Sequence, residues 1–347
     1  MPSRICNIIF SRIAFVALQQ ISLLVDRKPI QMHEVLNKWG REKTPFIFLI
    51  DFECKKPLCW KLDDPSAPIK INFQGLKNYM GGSALNSRSS FNLIKHPISI
   101  EAYRSKFNEV MANLSYGNSF LINLTTKTPI EIDLGLEEIF HRVQSKYSCW
   151  LKDEFVCFSP ETFISIKNGN IYSYPMKGTI DATIPNAREI LLNDQKEIAE
   201  HATIVDLIRN DLSLVANNVS VSKFRFYEEI KTQTGVIGQI SSEITGTLPA
   251  NYQEQIGDIL FKLLPAGSIS GAPKQKTVEI IQKVEQDERG YYTGVAGYFD
   301  GENLDSCVLI RYIEANNIYR SGGGITFQSN LADEYKEMID KVYVPIF

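Results

Sequence analysis

Residues 46–53 begin Phe-Ile-Phe-Leu-Ile, an apolar run without alternation that predicts a buried strand. Residues 60–85 lack any sustained period and read as turns and a loop ending at Gly81-Gly82. Helical spacing then predicts a helix over Ile100–Ser115, a strand over Ser119–Thr126 and a second helix over Glu137–Ser145. Strands are expected at 154–158, 162–167 and 171–175, with Asn168-Gly169-Asn170 supplying a hairpin turn. The clearest helix is 194–212. Asp194 and Glu197 make a capping-box-like start, and Ile198, Val205, Ile208 and Leu212 fall on one stripe.

Short strands near 218–230 and a helix at 252–264 follow, and Pro273 opens another helix at the first-turn position that proline tolerates. The C-terminal part reads as a meander. Its strands are Tyr291–Phe299, Ser306–Glu314 and Ile318–Phe327, joined by turns at Asp300-Gly301 and Asn316-Asn317, and a helix over 331–342 closes it. Hairpins interspersed with helices imply an α+β fold with largely antiparallel sheets. No Gly-x-Gly-x-x-Gly follows a strand, so the pattern is not a dinucleotide-binding one.

Met1–Val25 is apolar but is split by Arg12 and interrupted by Gln19-Gln20, with no small-residue cleavage pattern after it. Residues 1–31 are therefore read as an N-terminal extension ahead of Met32, residues 32–99 as a short N-terminal part of the fold, and 100–347 as the catalytic domain. No run of 18 apolar residues exists, so no membrane-crossing helix is expected. The net charge of −3 argues against a broad nucleic-acid-binding face. The six cysteines form no Cys-x-x-Cys pair and the four histidines are scattered, which leaves no zinc-type ligand set and points to reduced thiols in a cytoplasmic protein.

Candidate chemistry sits in a few places. Helix 194–212 puts Glu197, Glu200 and His201 on one face, and the last helix does the same for Glu334, Glu337 and Lys341. Each face alone is compatible with plain solvation; two together suit a carboxylate-held Mg²⁺ that keeps waters for an anionic substrate. Two segments, Ser268–Lys274 and Ser321-Gly-Gly-Gly324, read as glycine-rich turns able to meet an anion or simply to turn the chain. Lys177, directly after an expected strand, is either a solvated charge or, if buried, a nucleophile. Glu161, between two strands, is a turn carboxylate or a general acid.

The order and spelling of these pieces resemble the chorismate-utilising enzymes, which include anthranilate synthase component I, aminodeoxychorismate synthase component I, and the isochorismate and salicylate synthases. The matching segments are Phe158-Ser-Pro-Glu-Thr-Phe, Pro175-Met-Lys-Gly-Thr, Lys196-Glu-Ile-Ala-Glu-His with Asp206–Leu212, Gly267–Lys274, Tyr292-Thr-Gly, and Ser321-Gly-Gly-Gly with Asp333–Lys341. The resemblance covers about residues 100–345. It implies a two-subdomain α/β sandwich of antiparallel sheets around a deep cleft. Lys in Pro-x-Lys-Gly-Thr, where anthranilate synthase has Ala, favours the amination of chorismate to 4-amino-4-deoxychorismate on the p-aminobenzoate and folate route. On that implication Lys177 attacks C2 of chorismate and Glu161 is the general acid/base. Glu200 and Glu337 are Mg²⁺ ligands with Glu197 and Glu334 beside them. Arg311, Tyr292, Gly322 and Gly324 hold the enolpyruvyl carboxylate, and Gly178, Thr179, His201, Ser268 and Lys341 contact substrate. Ammonia is expected from a separate glutamine amidotransferase subunit, because no nucleophile-elbow cysteine with a downstream His-x-Glu is present. Leu121 stands where isochorismate and salicylate synthases carry a base lysine, which disfavours activation of water. The short N-terminal part also departs from the larger relatives that bind regulatory tryptophan.

Overall fold

In a computed structural model, which describes residues 29–80, 91–232 and 235–346, the chain forms two antiparallel sheets with helices against them. The apolar segment 1–25 and Gly81-Gly82 lie outside the described residues. The strands in chain order are β1 (Phe46–Ile50), β2 (Leu58–Lys61), β3 (Ile69–Phe73), β4 (Leu76–Lys77), β5 (Leu93–Lys95), β6 (Leu121–Ile132), β7 (Tyr147–Leu151), β8 (Phe155–Ser159) and β9 (Thr162–Lys167). They continue with β10 (Asn170–Ser173), β11 (Met176–Asp181), β12 (Asn217–Thr232), β13 (Gly235–Thr247), β14 (Gly271–Ala272), β15 (Val295–Phe299), β16 (Leu304–Val308), β17 (Tyr312–Glu314) and β18 (Ile318–Ile325).

The first sheet runs β11-β13-β10-β9-β16-β15-β1-β2, with β12 also on β13; the second runs β14-β6-β18-β17-β8-β7-β3-β4, with β5 on β6. β1 explains its own sequence. Phe46, Phe48 and Ile50 enter the core shared with the helices, whereas Ile47 and Leu49 enter the core between the sheets, so neither face meets water. Ile71, Cys149, Phe155 and Cys157 complete the inter-sheet core from the second sheet. Val156, Phe158, Ile313 and Tyr319, on that sheet's other face, are covered by the helix Leu136–Arg142 and by Val342, Val344 and Ile346. The α+β expectation holds, as does the sandwich of largely antiparallel sheets.

Several local expectations change. The segment 60–85 contains β3 and β4, and β3 alternates buried and half-buried residues as one face of a sheet should. The short strands expected near 218–230 are one 16-residue strand paired to β13, whose β12–β13 register shifts three times and so breaks the alternation along the chain. Pro273 is the residue preceding the helix Lys274–Glu285 rather than inside its first turn, because Gly271-Ala272 first pairs with Leu121-Ile122 of β6. Ser306–Glu314 is broken into β16 and β17, which belong to different sheets. At that break Arg311 takes φ 57°, a left-handed backbone uncommon for a residue with a side chain.

Candidate active site

The chain crosses between the sheets twice in adjacent places, from β8 to β9 through Pro160-Glu161 and from β16 to β17 through Leu309–Arg311. Val308 N donates to Glu161 O at 3.1 Å and Phe158 N donates to Arg311 O at 3.0 Å, so the two crossovers brace each other. A cavity of about 300 Å³ opens beside them. It brings together Glu161, Lys177, Gly178, Thr179, Ser268, Tyr292, Arg311, Gly322, Gly324, Glu337 and Lys341. Ten of these eleven residues come from five of the six matching segments and Arg311 from outside them, a convergence that spacing alone cannot show.

Lys177 reaches the cavity through an irregularity. The β11–β13 register shifts between Lys177 and Thr179, and Gly178 between them has φ 72°. A side chain at Gly178 would place its first carbon 3.0 Å from both Glu197 Oε2 and Leu191 Cδ1. Lys177 Nζ donates to Glu200 Oε2 at 3.1 Å. Burial pulls the pKa of this lysine down, but Glu200, then Glu337 and Glu197, outweigh it and hold the ammonium above its ordinary range.

Asp194 accepts from Glu197 N at 3.0 Å, and this cap sets the phase of the helix Gln195–Leu212 that carries Glu200. In the helix Leu331–Asp340, Glu334 is buried and accepts from Ser329 Oγ at 2.7 Å. Glu337 pairs with Lys341, whose Nζ also donates to Gly322 O at 2.9 Å. Thr326 Oγ1 lies 3.5 Å from Glu200 Oε1 and its backbone N donates to Ser329 Oγ, so a short polar path joins the two acidic helices.

Glu161 accepts from Ser268 Oγ at 2.5 Å. Burial raises its pKa; the Ser268 bond and the charges of Arg311, Lys341 and Lys177 act against that rise. Burial likewise pushes the Tyr292 phenol up to about 12. The two glycine-rich segments are not the turns expected from sequence. Gly322, Gly323 and Gly324 are mid-strand in β18, facing Thr125, Leu124 and Asn123 of β6. A side chain at Gly322 would collide with the Leu124 carbonyl oxygen, and one at Gly324 would come within 3.0 Å of Leu121 Cδ1 and 3.9 Å of Lys177 Nζ. Ser268 belongs to a four-residue helix, Gly267–Ser270, followed by β14.

Four expected residues stand off the cavity wall: Glu197, Glu200, Glu334 and His201. Glu200 still touches Lys177, but His201 is buried, and its Nε2 lies 2.6 Å from Ser242 Oγ. Burial, aided by Arg225 and Lys177, lowers the His201 pKa to about 4 and keeps the ring neutral. The wall also holds residues given no role in the sequence: Ile269, Thr293 and Ser321, which lie within the matching segments, and Asn123 and Arg320, which lie outside them. Among the described residues, Asn123 Oδ1 and Ser321 Oγ are buried without a hydrogen-bond partner. The only sequence signal for Asn123 was its place opposite Gly324, which is legible once β6 and β18 are paired.

Among the described residues no three His, Cys, Asp or Glu side chains form a closed metal cage. The donors present still fit a hard cation that takes few protein ligands. Gly323 leaves open the space where a Cβ would stand 3.4 Å from Glu334 Oε2 and 3.5 Å from Glu337 Oε1. No helix of the described residues is long and apolar enough to cross a membrane.

Comparison with known proteins agrees with this geometry. A Haemophilus influenzae protein described as "Uncharacterized PabA-like protein" is 51% identical over 318 residues, covering 90% of this chain and 96% of that protein. The aminodeoxychorismate synthase component 1 of Klebsiella aerogenes is 33% identical over 262 residues, 71% of this chain and 57% of the relative. The crystal structure of anthranilate synthase component I from Streptococcus pneumoniae matches with a TM-score of 0.61 and 25% identity, covering 73% of this chain and 59% of that one. The model of the chorismate binding enzyme family matches residues 82–346. Those residues include every motif that lines the cavity, and the chain therefore belongs to the chorismate binding enzyme family, as an enzyme that acts on chorismate.

Proposed function

We propose that the protein is the synthase component that aminates chorismate to 4-amino-4-deoxychorismate, with ammonia delivered by a glutamine amidotransferase partner. The observation that carries this reading is Lys177, a lysine on the wall of the cavity facing Gly324 with Leu121 beside it. A leucine offers no base for water, whereas an amine can form a covalent intermediate that divides one difficult displacement into two.

In the first step the Lys177 nitrogen bonds to C2 of chorismate, the two conjugated ring double bonds each shift by one bond toward C4, and the C4–oxygen bond breaks. Glu161 gives its proton to the departing hydroxyl, which leaves as water; burial, which raises the pKa of this carboxyl, favours that task. In the second step ammonia bonds to C4, both double bonds shift back, and the C2–nitrogen bond breaks with its electron pair returning to Lys177. Glu161 then recovers a proton from the new ammonium. Lys177 reacts only as the free amine, so the proton it carries beside Glu200 must leave first. Arg311, whose guanidinium is a planar fork, and the glycines of β18 line the same cavity and would receive a carboxylate of the substrate. Glu200 and Glu337, with Glu197 and Glu334 nearby, are the residues that would hold Mg²⁺, which would supply charge neutralisation for a dicarboxylate substrate.

The test is mass spectrometry of the protein with chorismate and Mg²⁺ in the absence of ammonia. An adduct mapped to Lys177 is expected, and on adding ammonium the released product should be 4-amino-4-deoxychorismate. Formation of anthranilate by the unaltered protein would instead assign it to the other amination, the chemistry named for the Streptococcus pneumoniae structure.

A further inference from the structure

Arg289 is used by nothing in the mechanism above, yet it is among the largest fully buried side chains, at 2% exposure. It lies four residues beyond Glu285, the last residue of the helix Lys274–Glu285. Its Nε donates to Glu285 Oε2 at 2.9 Å and its Nη2 to Glu285 Oε1 at 2.7 Å, a bidentate pair. The guanidinium carbon stands 4.6 Å from the centre of the Phe52 ring. The other donations leave the pair in three directions. Nη1 reaches Ile269 O at 3.0 Å and Thr293 Oγ1 at 3.3 Å, and Nη2 reaches Asn123 O at 2.7 Å.

These three acceptors belong to three different stretches of chain, and all three residues line the cavity. Ile269 follows Ser268, the donor to Glu161. Thr293 follows Tyr292. Asn123 lies on β6 opposite Gly324. Glu285 adds a second hold on β6, accepting from Thr125 N at 2.8 Å and Thr125 Oγ1 at 3.0 Å. Stability alone gives a weak reason for such a pair, since a buried ion pair is often replaceable by apolar groups at no cost. What an apolar group cannot supply is a rigid fork of donors aimed at two backbone carbonyls and the Thr293 hydroxyl on three separate stretches of chain.

We propose that Arg289 is a positioning residue, its guanidinium fixing the Ser268, Tyr292 and β6 walls of the cavity relative to one another. The inference rests on the cavity being the chorismate site and is indifferent to which product is made. The test uses Arg289→Met, which keeps the volume and removes the fork, and Arg289→Lys, which keeps only the charge. Melting temperature, steady-state chorismate consumption, and hydrogen exchange over residues 121–125, 267–271 and 291–295 are measured on each. The expected result for a folded variant is a kcat loss on the order of 10²-fold, since displacements of about 1 Å can cost that much. KM should change far less, and exchange should rise in all three segments together. Wild-type kcat in either folded variant, or a kcat loss with exchange unchanged in those segments, would overturn the proposal. If the unaltered protein consumes no chorismate, the reading of the cavity fails, and the exchange comparison still decides whether Arg289 clamps the three segments.

Discussion

Ser268→Ala removes a single donor from Glu161, and the outcome can be worked out in advance. In the folded protein the carboxyl is buried, which favours its protonated form, and Ser268 Oγ–H donates to Oε1, which favours the ionised form. A hydrogen bond to a charged group is worth about 1.5–3 kcal/mol. At about 1.4 kcal/mol per tenfold, its loss shifts the protonation equilibrium roughly ten- to a hundredfold toward the neutral acid. The direction is fixed because the deleted contact stabilises only charge, and the charges of Arg311, Lys341 and Lys177 remain in both proteins. The assay is an infrared pH titration of the protonated carboxyl band, assigned to Glu161 by its disappearance in Glu161→Gln. The Ser268→Ala midpoint should lie at higher pH than the wild-type midpoint. An unchanged midpoint would mean that Ser268 does not solvate the ionised carboxylate, and a lower one that the neutral acid was the form being held.

Three further outcomes are expected. Gly178→Ala and Gly169→Ala both force alanine into a left-handed backbone, at φ 72° and 74°, for about 1–2 kcal/mol each; only Gly178 lines the cavity, and there the added methyl also crowds Glu197 and Leu191, so melting temperature should fall in both, at least as far in Gly178→Ala, with turnover lost in Gly178→Ala alone. His201 is neutral in the fold with a pKa near 4, against 6.5 unfolded. The unfolded chain therefore binds the extra proton, so wild-type stability falls as pH drops from about 6.5 toward 4, by up to about 3 kcal/mol. His201→Asn lacks this term, and urea midpoints of the two proteins should converge as pH falls; a constant gap across that window counts against a neutral buried ring. Removal of divalent metal should stop chorismate consumption, Mg²⁺ should restore it, and Glu337→Gln should need more Mg²⁺ for half-restoration, measured by loss of chorismate absorbance.

What the sequence made legible was local. The cap of the helix Gln195–Leu212 needs only Asp194 and Glu197, and the buried strand β1 needs only its own five residues. Lys177 and Glu161 stand out because each lies in a short motif beside a strand, and the structure places both on one cavity. The features that stayed hidden depend on what pairs with what. Gly322-Gly-Gly324 looks like a turn because glycine is the usual residue of a turn. In β18 its bareness has a different cause: β6 crowds Gly322 through the Leu124 carbonyl and Gly324 through the Leu121 side chain, while Gly323 between them leaves open the space beside Glu334, Glu337 and Lys341. Glycine in a strand often marks a close approach of backbone or ligand, and only the partner strand tells that from a turn. Arg311 makes the same point from the opposite side. Nothing in Leu309-Ile-Arg-Tyr312 predicts a left-handed residue, but a chain leaving β16 in one sheet must turn sharply to enter β17 in the other. The crossover that imposes this backbone also sets Arg311 beside Glu161, so the least regular stretch of the meander is the one that helps assemble the site.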